Sequence, residues 1–256
     1  MTSDVLHIVE CKFMITFFIA LTALLAGLIT AAFGVGAGVF LTPLLSLFIA
    51  PKMVVALLAP MMLFSDITSL VMHWRKWNIK YILILTPGIL MGVLAGSYFL
   101  AWASPTLTKI SIGIIAITFS TYQIIRLKKP DLLTRIQPGD GAGAIISFIA
   151  GITSAIAHSG GIVVTIYLVT KNLSKTTFVA TLVSILFFCD LLKLITFWKL
   201  DIINTSLLVS GLELIPALLL GSWLGARLLK KLTYTQFILY VNILIFISGL
   251  MLMVKH

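Results

Sequence analysis

Apolar and polar positions fall along this chain in long blocks rather than in short periods. Apolar segments run over Phe13–Phe33, Val39–Ala50, Met53–Trp74, Ile79–Trp102 and Leu107–Ile125. A second set covers Ala142–Ala157, Ile162–Thr170, Thr177–Trp198, Ile202–Leu224 and Phe237–Val254. The longer ones reach the roughly 20 residues that a helix needs to cross a bilayer, and the period-2 alternation of a membrane barrel is missing. The pattern predicts an all-α polytopic membrane protein of about eight to ten helical segments.

Two of the blocks are interrupted. Phe33-Gly34-Val35-Gly36-Ala37-Gly38 places glycines at alternate positions inside an apolar run, where each removes a packing side chain and loosens the backbone. The second break is His158-Ser159-Gly160-Gly161. In hydrocarbon, a broken backbone persists only where protein buries it or it lines a wet cavity, so the breaks predict a site at membrane depth. The arm Val39–Ala50 spans about 18 Å at 1.5 Å per residue, short of the roughly 30 Å core. Each broken segment is therefore expected to be a hairpin, re-entrant or fully spanning, with its tip near the midplane.

The two sets also repeat. Ala26-Gly27-Leu28-Ile29-Thr30-Ala31 aligns with Ala150-Gly151-Ile152-Thr153-Ser154-Ala155, and Gly36 with Gly160, Asp66 with Asp190 and Trp74 with Trp198, all 124 residues apart. Gly96-Ser97 then meets Gly221-Ser222 at 125. Shared hydrophobicity does not put an Asp and a Trp in register, so duplication is the simpler account. The organisation this predicts is a first repeat over 1–126, a linker over 127–140 and a second repeat over 141–256, each a broken-helix hairpin plus three transmembrane helices.

Composition agrees: 60% of residues are hydrophobic and 10% charged, against about half and a quarter in soluble domains. The net charge is +10, but its cations sit between apolar segments, where they orient a membrane protein rather than bind nucleic acid. If the halves are inverted, one face gathers Arg75, Lys76, Lys80, Arg126, Lys128, Lys129, Arg135, Lys171, Lys175, Arg227, Lys230 and Lys231. The other keeps Lys12, Lys52, Lys109, Lys199 and Lys255. That asymmetry favours inversion, with the linker cytoplasmic and both termini on the opposite side of the cell membrane. Asp4 and Glu10, with no basic stretch ahead of Phe13, suggest a retained first helix rather than a cleaved signal. Cys11 and Cys189 lie in different contexts and imply neither a disulfide frame nor a metal site; no cofactor is implied.

A helix restarting after a glycine turn presents free N–H groups and a positive dipole end, which together suit an anion. Gly34, Gly36, Ala37, Gly38, Gly160 and Gly161 are thus candidate binding positions, with Ser159 adding a hydroxyl and His158 an imidazole. The same glycines also suit close helix crossing. Charged groups within spans are costly and mark function: these are Asp66, Asp190, Lys193 and Glu213. Lys193 lies three residues after Asp190, on the same helix face, which predicts a buried pair. Asp66 has Ser69 at that position, so it is a candidate proton site; both carboxylates equally suit a role in hydrogen-bonding the hairpin backbone. Glu213, three residues before Pro216, has no counterpart in the first repeat.

Gly34-Val35-Gly36-Ala37-Gly38-Val39-Phe40-Leu41-Thr42-Pro43-Leu44-Leu45 resembles the glycine-rich signature of the TauE/SafE family of sulfite and sulfonate exporters. The resemblance extends to the duplicated length, the second break and the acidic residue in the third segment of each repeat. Ala37, where the family usually has a third consecutive Gly, departs from its pattern, as do His158 in place of Gly and Tyr167 in place of Pro. The resemblance implies a membrane transporter of small sulfur-containing anions, the partners being that anion and lipid. A passive anion channel would share these features. An enzyme would have to rely on Ser159 beside His158, adjacent residues that rarely point into one site. The identity of the anion, the coupling ion and the oligomeric state are not written in these features.

Overall fold

In the computed structural model, the residues described are 38–128, 138–228 and 234–254. They form α1 (Gly38–Leu45), α2 (Pro51–Met72), α3 (Ile79–Trp102), α4 (Pro105–Lys128) and α5 (Asp140–Ala157). After these come α6 (Gly160–Val169), α7 (Lys175–Lys199), α8 (Thr205–Glu213), α9 (Ile215–Leu228) and α10 (Tyr234–Val254), with no strand among the described residues. The segment Phe13–Phe33 and the glycine-stretch residues Gly34, Gly36 and Ala37 lie outside them.

Helices α2, α3, α4 and α7, of 22 to 25 residues, are long and apolar enough to cross a membrane, spanning about 33–38 Å. The protein is an all-α polytopic membrane protein. Its surface carries large apolar side chains such as Leu83, Met91 and Trp102, which only lipid accommodates at this density.

Local chemistry sets the helix ends. Pro51 opens α2, and as a proline it holds the preceding Ala50 extended, at ψ 127°. The arm expected over Val39–Ala50 is helical only to Leu45 and continues in turns through Ile49. Asn78, Ser174 and Asn204 cap α3, α7 and α8 by accepting the backbone N–H groups of Lys80, Thr177 and Leu207 at 2.9–3.2 Å. The segment expected as one span over Ile202–Leu224 is two helices. Pro216 has no N–H to give the Leu212 carbonyl, and the ladder breaks at Leu214 between α8 and α9.

In their most apolar 18-residue stretches α2 and α7 are 56% buried within the protein, against 28% for α4; α2 and α7 therefore form the middle of the bundle and α4 its edge. Helix α3 packs on α5 through small residues four apart. Gly88, Gly92 and Gly96 of α3 meet Ser147, Gly151 and Ala155 of α5, so closely that a Cβ at Gly92 would overlap the Phe148 carbonyl and one at Gly151 the Ile89 carbonyl. One added at Gly96 would lie 2.8 Å from Ala155 Cβ. This is backbone-to-backbone contact of the kind that joins helices in lipid. Gly113 of α4 and Gly249 of α10 make a smaller version of the same contact.

Gly92→Ala is accordingly expected to lower stability by about 1–3 kcal/mol, the usual cost of overpacking. Gly139→Ala, where a Cβ meets nothing within 4 Å, is expected to change it by less than about 0.5 kcal/mol. Thermal unfolding of both variants in one detergent measures the difference.

Candidate functional site

The second break is a tight reversal. Helix α5 ends as His158 takes a left-handed conformation, φ 50° and ψ 32°, one that side chains other than glycine adopt at a cost of about 1 kcal/mol or more. The amides of His158 and Ser159 bond back to the carbonyls of Ser154 and Thr153 at 3.0 and 3.3 Å. The Ser159 hydroxyl also donates to Thr153, at 3.0 Å, and so is committed to its own turn. Helix α6 then folds back on α5: a Cβ at Gly160 would stand 2.6 Å from the Ala150 carbonyl oxygen. By helix geometry the first-turn N–H groups at Gly160 and Gly161 lack intrahelical acceptors.

From the other side comes Gly38, the first residue of α1. It lies so close to His158 that a Cβ would overlap His158 Cβ and approach its carbonyl oxygen to 3.2 Å. The last glycine of the first stretch thus touches the tip of the second.

Behind this contact sits a buried charge cluster. Lys193, on α7, has no exposed surface. Its ammonium reaches Asp190 Oδ1 at 2.6 Å, His158 Nδ1 at 2.8 Å and Ser154 Oγ at 3.4 Å. His158 Nε2 lies 2.9 Å from the Val55 carbonyl oxygen of α2. A carbonyl only accepts, so these partners assign the ring hydrogen to Nε2 and leave Nδ1 to accept from Lys193. Asp66, also on α2 and buried, has its carboxyl beside that of Asp190, and two carboxyls so placed in a dry interior favour sharing one proton over carrying two charges. Its Oδ2 has no hydrogen-bond partner among the described residues. The Cys189 thiol donates to Ser154 Oγ at 3.2 Å.

The fold therefore brings Gly38, His158, Ser159, Gly160, Gly161, Asp66, Asp190 and Lys193 into one region. It leaves Glu213 apart, exposed at the end of α8. Asp190 and Lys193 pair as the three-residue spacing predicts. Asp66 finds its partner on α7 rather than on its own helix, which no single-helix spacing reveals. Sequence reasoning missed Ser154, although a hydroxyl stands at both Thr30 and Ser154 in the repeat. It also missed the Val55 carbonyl, which has no sequence signal. Among the described residues no three His, Cys, Asp or Glu side chains converge as a metal ion would need.

His158→Ala removes the ring but keeps the strained backbone, whereas His158→Gly removes both. The alanine variant is expected to be less stable than the glycine variant by about 1 kcal/mol, measured as the difference in their unfolding midpoints.

A helix broken at His158 beside a deeply buried ionic cluster suits a transporter better than a structural bundle. No curated protein and no solved structure is matched by this chain. A family profile described as sulfite exporter TauE/SafE matches residues 19–252, which takes in both broken segments and every member of the cluster. The chain belongs to the TauE/SafE family of sulfite exporters.

Proposed function

We propose that the protein carries a small oxidised-sulfur anion, sulfite or an organosulfonate, across the cell membrane by alternating access with proton coupling. The observation that carries this reading is the contact of Gly38 with His158 directly beside the wholly buried Lys193. The start of α6 offers N–H donors and the lysine beside it offers charge, a combination that suits an anion. Asp66 and Asp190 supply titratable oxygens next to that cation; Glu213 is too far toward the surface of α8 to share the site. Gly34, Gly36 and Ala37, which lie outside the described residues, are proposed as further binding positions on the strength of the sequence.

The enzyme reading loses support from the site chemistry. The Ser159 hydroxyl is spent on Thr153, and the His158 ring is turned toward Lys193 and Val55, so the two form no nucleophile–base contact.

The architecture proposed with this function is a pair of inverted repeats, 1–126 and 141–256, joined by a cytoplasmic linker over 127–140, with both termini outside. In a Cys11→Ser background, Lys129→Cys is expected to resist a membrane-impermeant maleimide on whole cells, and Thr2→Cys to react. Labelling of both from outside would defeat the inversion. For transport, proteoliposomes are expected to move sulfite faster when an acid compartment faces it, and Gly36→Leu to cut that rate about tenfold or more through lost backbone contacts. No flux of any small anion from the wild type would overturn the reading.

A further inference from the structure

We infer that Lys193 is the charge to which the transported anion binds, and that Asp190 occupies it until a proton taken up by the Asp66–Asp190 pair releases it. This deepens the anion-transport reading above and rests on it.

The groups facing the ammonium are Asp190 and Cys189 from α7, Asp66 from α2, and His158 with the neutral Ser154 from α5 and its turn. With one proton held between the two carboxyl groups and His158 neutral, the cluster sums to zero charge. An entering monovalent anion would leave an unpaired negative charge in a low-dielectric interior, which is strongly unfavourable. A second proton, placed on the Asp190 carboxylate, restores neutrality. The same proton removes the charge that holds Lys193. Anion and proton therefore bind together, one proton for each negative charge.

The geometry suits this exchange. The partners at 2.6 Å, 2.8 Å and 3.4–3.5 Å use all three donors of the ammonium, so an anion must displace one of them. Asp190 is the displaceable one, because it alone has another partner waiting. Once protonated, its hydroxyl can donate to Asp66, whose Oδ2 is buried and unpartnered. An orphaned buried acceptor is costly in a resting protein; as the receiving atom of a switch it has a use. The anion reaches Lys193 by parting Gly38 from His158, whose ring is the lysine's neighbour at the tip.

The test uses methanesulfonate, whose charge is fixed at −1 between about pH 5 and pH 8, so that only the protein titrates. Binding to purified full-length protein is followed by thermal shift and calorimetry. In the wild type the apparent Kd is expected to rise about tenfold per pH unit on the alkaline side, the linkage of one proton. In Asp190→Asn the proton formerly shared stays on Asp66, Lys193 is uncompensated before the anion enters, and the apparent Kd is expected to vary less than about threefold over the whole range. Lys193→Met is expected to lose binding. Because it strands buried carboxyls, the charge-neutral pair Asp190→Asn/Lys193→Met serves as the folded check and is expected not to bind either. A wild-type pH slope retained in Asp190→Asn, or wild-type affinity in the double variant, overturns the exchange while leaving anion transport intact. A wild type that neither binds nor moves methanesulfonate or sulfite overturns the transport reading, and the exchange with it.

Discussion

An ammonium group with no exposed surface in the middle of a membrane bundle is the constraint from which the site follows. Inserting a lysine at that depth costs about 3 kcal/mol on insertion scales, and removing one partner of a buried pair costs about 3–5 kcal/mol. Lys193 is therefore surrounded by what a cation requires: a carboxylate one turn earlier on α7, a ring nitrogen from the α5–α6 turn, and the hydroxyl and carbonyl of Ser154. Each partner fixes another part of the fold. Asp190 draws in Asp66 and so docks α2 on α7. His158 reaches across to the Val55 carbonyl and ties the tip of the second hairpin to the same helix.

That role explains why a histidine occupies a position whose backbone calls for glycine. At φ 50° a glycine would be free of strain. Here the strain is offset by the bond the ring donates to Val55 and the one it accepts from Lys193, and what the chain gains is a polar side chain in contact with Gly38. Strain tolerated beside a charge cluster, rather than in a surface loop, marks a working part of the molecule.

Much of this was legible in the sequence, and the limits are physical. Block hydrophobicity located the described helices to within a few residues at most boundaries, since length and polarity decide a span. It failed at Pro216, which splits the expected span, and in the arm after Gly38, whose helix ends at Leu45. The Asp190–Lys193 pair was readable from helical spacing because both lie on one face of one helix. The Asp66–Asp190 pairing was not, because it depends on how two helices dock. The glycines at 88, 92 and 96 carry a small-xxx-small signal, but a glycine in an apolar run reads equally as a helix breaker or as a contact surface, and only the docked partner helix decides. Gly34, Gly36 and Ala37, on which the sequence reading laid most weight, lie outside the described residues, so their part in the site stays a proposal.

The glycine seam between α3 and α5 bears on how the protein is made. The stripe Gly88, Gly92, Gly96 belongs to the first half of the chain, and the helix that covers it belongs to the second. During synthesis α3 emerges before α5, and among the described residues no earlier helix covers its glycine face. Assembly is thus ordered by the chain itself: the early helices wait unsealed, and the arrival of α5 closes them into a single body.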